Sequence, residues 1–303
     1  MPESKIACEL MRLLPGQVSL KEPLRLHTTW RIGGPADFFV EPDGVESLAK
    51  ALVFARNKNL PLIIIGNGSN LLVKDGGIRG LVIKIGNGFT QLNIQGSQVS
   101  AGAGTKLAHL TRIAKDAGIG GFEFLAGIPG TVGGAVTMNT GAYRKTISDL
   151  CTAVKLMDEA GRLIWRTSAG LGFGYRTSNL QDSKLIVIEA VFRGIYREPR
   201  AIQAELEDIL SKRKKTQPLG YPSAGSVFKN PPGISAGLLI EQAGAKGRRE
   251  GDASVSHLHA NFIVNLGTAT ARDVLNLIEQ VKTLVWNKYS IKLELEVRVL
   301  GED

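Results

Sequence analysis

Two spacings of apolar residues alternate along the chain and predict its helices and strands. In residues 45–59 the side chains of Leu48, Leu52 and Val53 recur at helical spacing, while residues 62–65 (LIII) form a β-branched run typical of a strand. With the extended segment before them, these residues make a strand–helix–strand unit over residues 38–65. Because such a crossover joins parallel strands, the pattern favours a parallel pair.

The same signals place the remaining elements. Helices are predicted over residues 2–16, 106–117, 201–215 and 271–286. Strands are predicted over residues 82–85, 92–95, 98–101, 185–192, 260–265 and 291–300, and extended chain over residues 24–40 with a turn at residues 33–35 (GGP). Residues 151–158 and 162–167 are expected to pair as a hairpin.

The stretch GGFEFLAGIPGTVGGAVTMNTGAY, residues 120–143, is unusually rich in glycine. It holds seven glycines from Gly120 to Gly141, and Glu123 is its only charged residue. A core strand would not carry so much glycine, since each one costs roughly 0.5–1 kcal/mol of extra backbone entropy. A flexible linker would not carry so many large apolar residues. The backbone is therefore either folded tightly in the core or pressed against a ligand, and bare N–H groups in residues 127–135 could face a phosphate.

Length and cysteine content limit the class of protein. At 303 residues the chain is long enough for two or three domains with substantial cores. No apolar run approaches the ~18–20 residues that span a bilayer, and the N-terminal apolar patch contains Glu3 and Glu9, unlike a secretory signal. Cys8 and Cys151 imply no disulfide framework. These features predict a cytoplasmic protein that does not act on a membrane.

The formal net charge of +9 indicates acidic partners, which could be nucleic acid, an anionic membrane or small phosphorylated ligands. The dense basic run at residues 212–215 (KRKK) closes a predicted helix, where cations suit the negative end of the helix dipole. No zinc-finger spacing or interleaving of aromatic and basic residues supports nucleic-acid binding. We therefore expect no nucleic-acid partner.

A second glycine turn, residues 66–72 (GNGSNLL), directly follows the strand predicted at residues 62–65. The carboxyl end of a strand is where α/β sheets bind phosphates. The turn lacks the third glycine and the following helix of a dinucleotide fingerprint, and it lacks the Gly-Lys-Ser/Thr ending of a P-loop. By itself it fits a phosphate site and a plain turn about equally well.

Three motifs in a fixed order carry a resemblance to a known family. Residues 66–72 (GNGSNLL), 127–135 (GIPGTVGGA) and 224–231 (AGSVFKNP) closely resemble the UDP-N-acetylenolpyruvoylglucosamine reductases of peptidoglycan synthesis, in their shorter form. Residues 28–34 (TTWRIGG), 175–178 (YRTS), 259–262 (HANF) and 293–298 (LELEVR) extend the match over nearly the whole chain.

The resemblance implies the fold and the domains. The strand–helix–strand unit alone favours a Rossmann fold, and the family pattern overrides it in favour of an α+β fold. That fold has a two-subdomain FAD-binding module of the vanillyl-alcohol-oxidase-like type plus a C-terminal α+β substrate domain. The expected boundaries are an N-terminal helix and lead-in at residues 1–23, FAD-binding subdomains at residues 24–85 and 86–197, and a substrate domain at residues 198–303.

The resemblance also implies FAD as cofactor and NADPH as the hydride-donating co-substrate. No His or Cys falls within the two glycine loops, which favours non-covalent FAD. The residues that the match assigns to FAD are Arg31, Gly66, Asn67, Gly68, Ser69, Asn70, Leu71, Gly127, Ile128, Pro129, Gly130, Thr131, Gly133, Gly134, Ala135, Asn139 and Gly141.

In the family, hydride from reduced FAD reaches the enolpyruvyl ether of UDP-N-acetylglucosamine and leaves an enolate-like intermediate, which needs charge stabilisation and a proton donor. Ser226 matches the proton donor, Arg176 matches the arginine on the carboxylate, and Glu296 matches the second polarising residue. Physical reasoning alone does not separate Glu296 from Glu294, since both share one face of the predicted strand. The candidate substrate contacts are Tyr175, Lys229, Asn230, Gln242 and Lys246.

Some features stay open. His257 and His259 alternate, but no third ligand cluster accompanies them, so no metal is expected. Arg144 and Lys145 follow Tyr143 where the family commonly has glycine, and the shorter form lacks the loop that closes over substrate in the longer one. The oligomeric state is open with a monomer favoured, and so is the preference for NADPH over NADH.

Three other functions are compatible with parts of this sequence. The main rival is another FAD-dependent oxidase or dehydrogenase of the same fold, acting on a different sugar or alcohol. A non-catalytic nucleotide-binding regulator would bind UDP-sugars without turnover, and a nucleic-acid-binding protein would show a steep salt dependence of its affinity.

Overall fold

The computed structural model describes residues 2–303, and within them the chain forms two compact units. The first unit comprises residues 2–20, 37–67 and 80–211, and the second comprises residues 21–36, 68–79 and 212–303. Each unit has its own hydrophobic core. Both units are assembled from separate segments of the chain, whereas the boundaries predicted above divide it into continuous domains; those boundaries stay a prediction.

The helices are α1 (Pro2–Leu13), α2 (Val45–Asn57), α3 (Leu107–Asp116), α4 (Val132–Thr137), α5 (Pro199–Thr216), α6 (Ala236–Gln242) and α7 (Ala271–Tyr289). The periodicity predicts all of these except α4 and α6, which have six and seven residues and are too short to show a helical repeat. No helix within residues 2–303 has both the length and the apolar composition that crossing a bilayer requires.

The strands are β1 (Val18–Pro23), β2 (Pro35–Val40), β3 (Leu62–Ile65), β4 (Leu71–Val73), β5 (Ile78–Lys84), β6 (Leu92–Gln95), β7 (Gln98–Gly102), β8 (Ile119–Gly120), β9 (Gly141–Ala142), β10 (Lys145–Thr146), β11 (Cys151–Met157), β12 (Leu163–Thr167), β13 (Ile186–Arg193), β14 (Ile195–Tyr196), β15 (Arg249–Glu250), β16 (Ala253–Val255), β17 (Ile263–Asn265) and β18 (Arg298–Leu300).

Two sheets form the framework of the first unit. A five-stranded sheet has the order β12-β11-β13-β7-β6, and its β11–β12 pair is the predicted hairpin, antiparallel with Ala153 opposite Thr167. A four-stranded sheet has the order β1-β2-β5-β3, in which β3 and β5 are parallel. The crossover through α2 therefore does not place β2 next to β3, because β5 lies between them.

The second unit packs α7 against a small sheet with the order β15-β16-β17. The buried face of α7 carries Val274, Leu277, Ile278, Val281 and Val285, which is the helical spacing that the sequence shows. The helix begins at a capping box, in which the Thr270 hydroxyl accepts from the N–H of Asp273 and the Asp273 carboxylate accepts from the N–H of Thr270. The unit also contains the parallel pair β4–β18.

Three predicted extended segments need correction. Residues 24–26 form a 3-10 turn, so only β2 of the predicted 24–40 segment is a strand. The strand predicted at residues 260–265 shortens to β17, and the one predicted at residues 291–300 shortens to β18. Before β18, only Leu295 forms a bridge, with Phe228. The side chains of Leu293 and Val297 are buried in the second core, and this burial gives the segment the apolar alternation of a strand. The backbone of the segment nevertheless has no full ladder partner within residues 2–303.

Candidate functional site

The two predicted glycine loops meet in the first unit. Gly66 and Asn67 follow β3 directly, and the Asn67 side chain donates a hydrogen bond to the carbonyl of Pro129. A Cβ on Gly66 would lie 2.6 Å from Oγ1 of Thr131. The start of GNGSNLL and the loop GIPGTVGGA are therefore in contact, although more than 60 residues of sequence separate Asn67 and Pro129.

Backbone hydrogen bonds from neighbouring segments hold the second loop, residues 127–135, in place. The N–H of Leu107, at the start of α3, donates to the carbonyl of Gly130 at 3.0 Å, and the N–H of Gly133 donates to the carbonyl of Ala103 at 2.8 Å. The loop then enters α4 at Val132. The loop is thus a fixed turn between strand and helix elements, not a flexible connection.

Steric contacts separate the glycines that the fold requires from those it does not. A Cβ on Gly133 would lie 2.9 Å from the Cβ of Ala103, and one on Gly68 would overlap the carbonyl oxygen of His27. A Cβ on Gly134 would meet only Oγ1 of Thr131, at an ordinary 3.7 Å. Packing within the chain explains Gly68 and Gly133, whereas Gly134 is exposed and leaves its surface open to a ligand.

Unused backbone donors accompany this open surface. Among the hydrogen bonds of residues 2–303, none takes up the backbone N–H of Gly66 or Asn67. The N–H of Gly134 lies in the first turn of α4, where backbone donors have no partner within the helix. Bare N–H groups in glycine turns bind phosphate oxygens. The first unit therefore fits the diphosphate of a dinucleotide such as FAD.

Arg176 lies on a strained turn beside the end of the same glycine-rich stretch. Its backbone has a φ of 57°, in the left-handed region, and its Nη1 donates to the carbonyl of Gly141 at 2.8 Å. The Gln181 side chain donates to the Arg176 carbonyl at 2.9 Å, and the buried Asn139 donates to the carbonyl of Gly174 at 2.9 Å. The guanidinium also lies 5.7 Å from the ring of the exposed Tyr175. Arg176 is thus bonded to one predicted cofactor residue, Gly141, and a second, Asn139, is bonded to Gly174 two residues before it.

In the second unit, Ser226 lies on a segment that Asn261 anchors. The N–H of Val227 donates to the Asn261 carbonyl at 2.8 Å, while the Asn261 side chain accepts from the N–H of Phe228 at 2.9 Å and donates to its carbonyl at 2.8 Å. Asn261 is 3% exposed, so these bonds are protected from water. No role was predicted for Asn261, although its motif HANF was part of the resemblance and was the signal that could have found it.

Glu296 lies beside Ser226 through the backbone. The N–H of Glu296 donates to the carbonyl of Val227 at 2.8 Å, and the carbonyl of Glu296 accepts from the side chain of Asn70 at 3.0 Å. Glu294 lies two residues away, where its mostly exposed carboxylate is 3.4 Å from Nζ of Lys229. The second unit therefore brings together Ser226, Glu296 and one residue of the predicted cofactor turn.

Arg31 lies near the same turn. It has a φ of 56° and follows Trp30, whose fully buried indole donates to the carbonyl of Ile263 at 2.8 Å. The N–H of Thr29 donates to the carbonyl of Gly68 at 3.4 Å. Arg31 itself is exposed, so its guanidinium is available for a ligand.

The predicted substrate residues are dispersed. Asn230 accepts from the N–H of Ala236 at 3.0 Å, Gln242 accepts from the hydroxyl of Tyr289 at 3.2 Å, and Lys246 pairs with Glu241 at 2.6 Å; these contacts are all in the second unit.

His259 lies two residues before Asn261, and its Nδ1 accepts from the N–H of Asn261 at 3.3 Å. Burial lowers the pKa of His259 below its usual 6.5; the nearby Lys246 acts in the same direction, whereas a hydrogen bond to its own backbone and the charge of Glu241 oppose the shift. The neutral His259 ring is therefore favoured, and its Nδ1 can accept the hydrogen bond from Asn261.

Comparisons with known proteins bear on this arrangement. Residues 36–167 match the family described as FAD binding domain, and residues 217–300 match the UDP-N-acetylenolpyruvoylglucosamine reductase C-terminal domain. The UDP-N-acetylenolpyruvoylglucosamine reductase of Desulforamulus reducens is 50% identical over 300 residues, which cover 99% of each chain. The crystal structure of UDP-N-acetylenolpyruvylglucosamine reductase from Thermus caldophilus is 38% identical with a TM-score of 0.80, covering 93% of this chain and 98% of that one.

A more distant likeness concerns the fold alone. Phl p 4, a grass pollen allergen with glucose dehydrogenase activity, is 13% identical with a TM-score of 0.51, covering 94% of this chain and 58% of that chain. The predicted fold class is confirmed: an α+β chain with an FAD-binding module of the vanillyl-alcohol-oxidase-like type and a C-terminal α+β domain. The Rossmann fold that the strand–helix–strand unit alone favours is not the one found.

Proposed function

The chain belongs to the family of UDP-N-acetylenolpyruvoylglucosamine reductases, and on that premise we propose that it reduces UDP-N-acetylglucosamine enolpyruvate to UDP-N-acetylmuramate. The reaction is a step of peptidoglycan precursor synthesis, with NADPH as co-substrate and FAD as non-covalent cofactor. The identity of 50% over the full chain supports the activity as well as the fold. Another FAD-dependent oxidase or dehydrogenase of the same fold is not favoured, because the likeness to Phl p 4 extends to the fold alone.

The observation that carries this proposal is the hydrogen bond from the N–H of Glu296 to the carbonyl of Val227, at 2.8 Å. It fixes the backbone of one candidate catalytic residue next to that of Ser226. The bond from Asn70 to the Glu296 carbonyl adds the predicted cofactor turn to the same group. A proton donor, a carboxyl group and a cofactor turn held together are what reduction of an enolpyruvyl group requires.

FAD fits the open glycine surface of the first unit, and the chemistry that it supplies when bound is hydride transfer from NADPH to the enolpyruvyl double bond. The N–H groups of Gly66, Asn67 and Gly134 would hold its diphosphate. The other residues proposed to surround the cofactor are Arg31, Gly68, Ser69, Asn70, Leu71, Gly127, Ile128, Pro129, Gly130, Thr131, Gly133, Ala135, Asn139 and Gly141.

The protein's own task is to hold the substrate carboxylate and to deliver one proton. Arg176 presents a planar guanidinium that binds a carboxylate through two parallel hydrogen bonds, and it stabilises the negative charge that develops on hydride addition. The hydroxyl of Ser226 donates a proton to the enolate carbon, which is basic enough to accept it. Glu296 polarises the same carboxylate; its partly buried position distinguishes it from the exposed Glu294, which is paired with Lys229.

The remaining assignments concern binding and location. We assign Tyr175, Lys229, Asn230, Gln242 and Lys246 to the UDP-sugar, of which Tyr175 is the exposed neighbour of Arg176. We also propose that the chain acts in the cytoplasm as a monomer, consistent with its two free cysteines. Light scattering during size-exclusion chromatography tests the monomer directly.

Anaerobic visible spectra of the purified protein test the function. Flavin bands that bleach with stoichiometric NADPH and return on addition of UDP-N-acetylglucosamine enolpyruvate are the expected result. Bands that bleach but do not return would support FAD binding and reduction by NADPH but would contradict the proposed substrate. A colourless protein that FAD does not reconstitute would contradict the whole proposal.

A further inference from the structure

Glu123 is a buried carboxylate inside the glycine-rich stretch, and the reaction proposed above does not use it. It is 1% exposed. Its Oε2 accepts from the N–H of Gly121 at 2.7 Å, and its Oε1 accepts from Nη1 of Arg197 at 2.7 Å. Burying a charge without a partner is costly, so this carboxylate depends on both donors.

Gly120, three residues before Glu123, leaves space for the side chain of Arg197. A Cβ on Gly120 would overlap Cδ of Arg197, so the arginine side chain reaches Glu123 across the bare face of that glycine. The arginine is itself placed by β14, which pairs with β8, and by the bond from its N–H to the carbonyl of Gly118 at 2.9 Å. The pair is therefore a built feature of the first unit.

The same region has a second attachment, to helix α5. Ala126, three residues after Glu123, is buried in a small apolar cluster with Ile202, Leu206 and Ile209 of α5. Arg197 lies two residues before this helix begins and also pairs with its Glu205 at 2.8 Å. The Glu123–Arg197 ion pair and the apolar contact of Ala126 thus hold the segment that precedes residues 127–134 at two points.

Local hydrogen bonds carry this constraint into the loop. The N–H of Ala126 donates to the Glu123 carbonyl at 3.0 Å, and the N–H of Ile128 donates to the Leu125 carbonyl at 3.1 Å. Residues 123–125 form a 3-10 turn that leads directly to Gly127. A rotation of Glu123 would therefore move the backbone at the entrance of the loop.

We propose that Glu123 and Arg197 are positioning residues for the cofactor: their ion pair holds residues 127–134 in the conformation that binds FAD. Removing one partner of a buried ion pair leaves an uncompensated charge, so the segment that carries Glu123 depends on Arg197 to keep its conformation. A preformed loop does not have to be ordered when the ligand binds, so the pair raises affinity without touching the cofactor. The inference rests on the proposed function, since it takes this loop as the FAD site.

The experiment compares apoproteins that are reconstituted with FAD. Glu123→Gln keeps the size of the side chain and removes its charge, and Arg197→Gln removes the partner. For each we expect the FAD dissociation constant to rise roughly tenfold or more, because the loop must then be ordered on binding. Glu205→Gln is the matched control: it removes the other, more exposed carboxylate on Arg197 and should leave FAD affinity within about twofold.

Two further measurements separate positioning from general stability. Hydrogen–deuterium exchange of the apoprotein should become faster in residues 120–135 of both variants, and the rest of the first unit should keep its protection. The double variant Glu123→Gln/Arg197→Gln should bind FAD no more weakly than the worse single variant, because both changes remove one interaction.

The outcomes are distinct. Unchanged FAD affinity at a temperature where every apoprotein is folded overturns the inference, and so does faster exchange spread evenly over the first unit. A wild-type chain that binds no FAD overturns the proposed function together with this inference. Wild-type FAD binding with a selective loss in the two variants supports it.

Discussion

The backbone N–H of Glu296 donates a 2.8 Å hydrogen bond to the carbonyl of Val227, and this bond holds the segment before β18 next to the Ser226 segment. The Leu295–Phe228 bridge adjoins it, and the N–H of Lys229 donates to the carbonyl of Glu294 at 2.9 Å. The two strips of chain therefore lie in a fixed antiparallel register. In this register Leu295 faces the second core, and Glu294 and Glu296 face away from it.

Ser226→Ala should separate the two half-reactions. We expect flavin reduction by NADPH to persist, because Ser226 is proposed to protonate only the second substrate. Reoxidation by UDP-N-acetylglucosamine enolpyruvate should slow by about 10²–10⁴-fold, the usual contribution of a positioned acid. Stopped-flow absorbance of the flavin measures both steps.

The control for this prediction is Ser223→Ala, three residues earlier on the same segment, whose backbone carbonyl accepts from the hydroxyl of Thr29 and whose side chain makes no hydrogen bond within residues 2–303. It should leave both rates near wild type. An equal loss in both half-reactions for Ser226→Ala would make the residue structural.

Gly134→Ala should stabilise the apoprotein and weaken FAD binding. Alanine is favoured over glycine in a helix by roughly 0.5–1 kcal/mol, and a Cβ there meets only Thr131 at 3.7 Å. Crowding of a bound cofactor by the same methyl group should cost about 1–3 kcal/mol. Thermal unfolding without FAD and FAD titration give the two quantities.

Gly133→Ala is the matched control for that change. Its Cβ would lie 2.9 Å from the Cβ of Ala103, so the apoprotein itself should lose about 1–3 kcal/mol of unfolding free energy. Equal FAD affinity in Gly134→Ala and wild type would exclude a close cofactor approach at that glycine.

Arg176→Lys keeps the positive charge and removes the planar fork. We expect a rise in KM for the enolpyruvyl substrate and a fall in kcat, together lowering kcat/KM by about 10–100-fold, since a lysine does not reproduce two parallel bonds to a carboxylate. Flavin reduction by NADPH should change little. Steady-state kinetics of Arg144→Lys, at an exposed arginine that also has a positive φ, provide the comparison. Wild-type kcat/KM in Arg176→Lys would contradict a bidentate role.

Stability should fall as the pH drops below about 6.5. Burial lowers the pKa of His259, so below its ordinary value of 6.5 the unfolded chain binds this proton more readily than the folded chain. The resulting loss of unfolding free energy begins near the ordinary pKa and is complete below the folded one. Urea unfolding at about pH 7.5 and about pH 5.5 measures it.

His259→Gln should reduce that pH dependence, and His257→Gln, at an exposed histidine two residues earlier, should keep it. An identical pH dependence in wild type and His259→Gln would show that other groups control acid stability.

The sequence by itself determined the elements whose stability is local or whose pattern is long. Helices such as α7 and the β11–β12 hairpin follow from periodicity and turn residues, because their contacts lie close in sequence. The family motifs determined the fold class and the cofactor, since the resemblance rests on several motifs that occur in a fixed order along the chain. The same motifs contain most of the candidate site residues, and the roles of all of them stay predictions.

The tertiary structure decided what joins distant segments. It determined that residues 293–297 keep strand-like alternation without a ladder, that Asn67 bonds the carbonyl of Pro129, and that Asn261 anchors the Ser226 segment. It also separated Gly133, which packing requires, from Gly134, which it does not. Such contacts depend on which surfaces meet in three dimensions, and a one-dimensional pattern carries apolar spacing and local turn preference but not the identity of the partner.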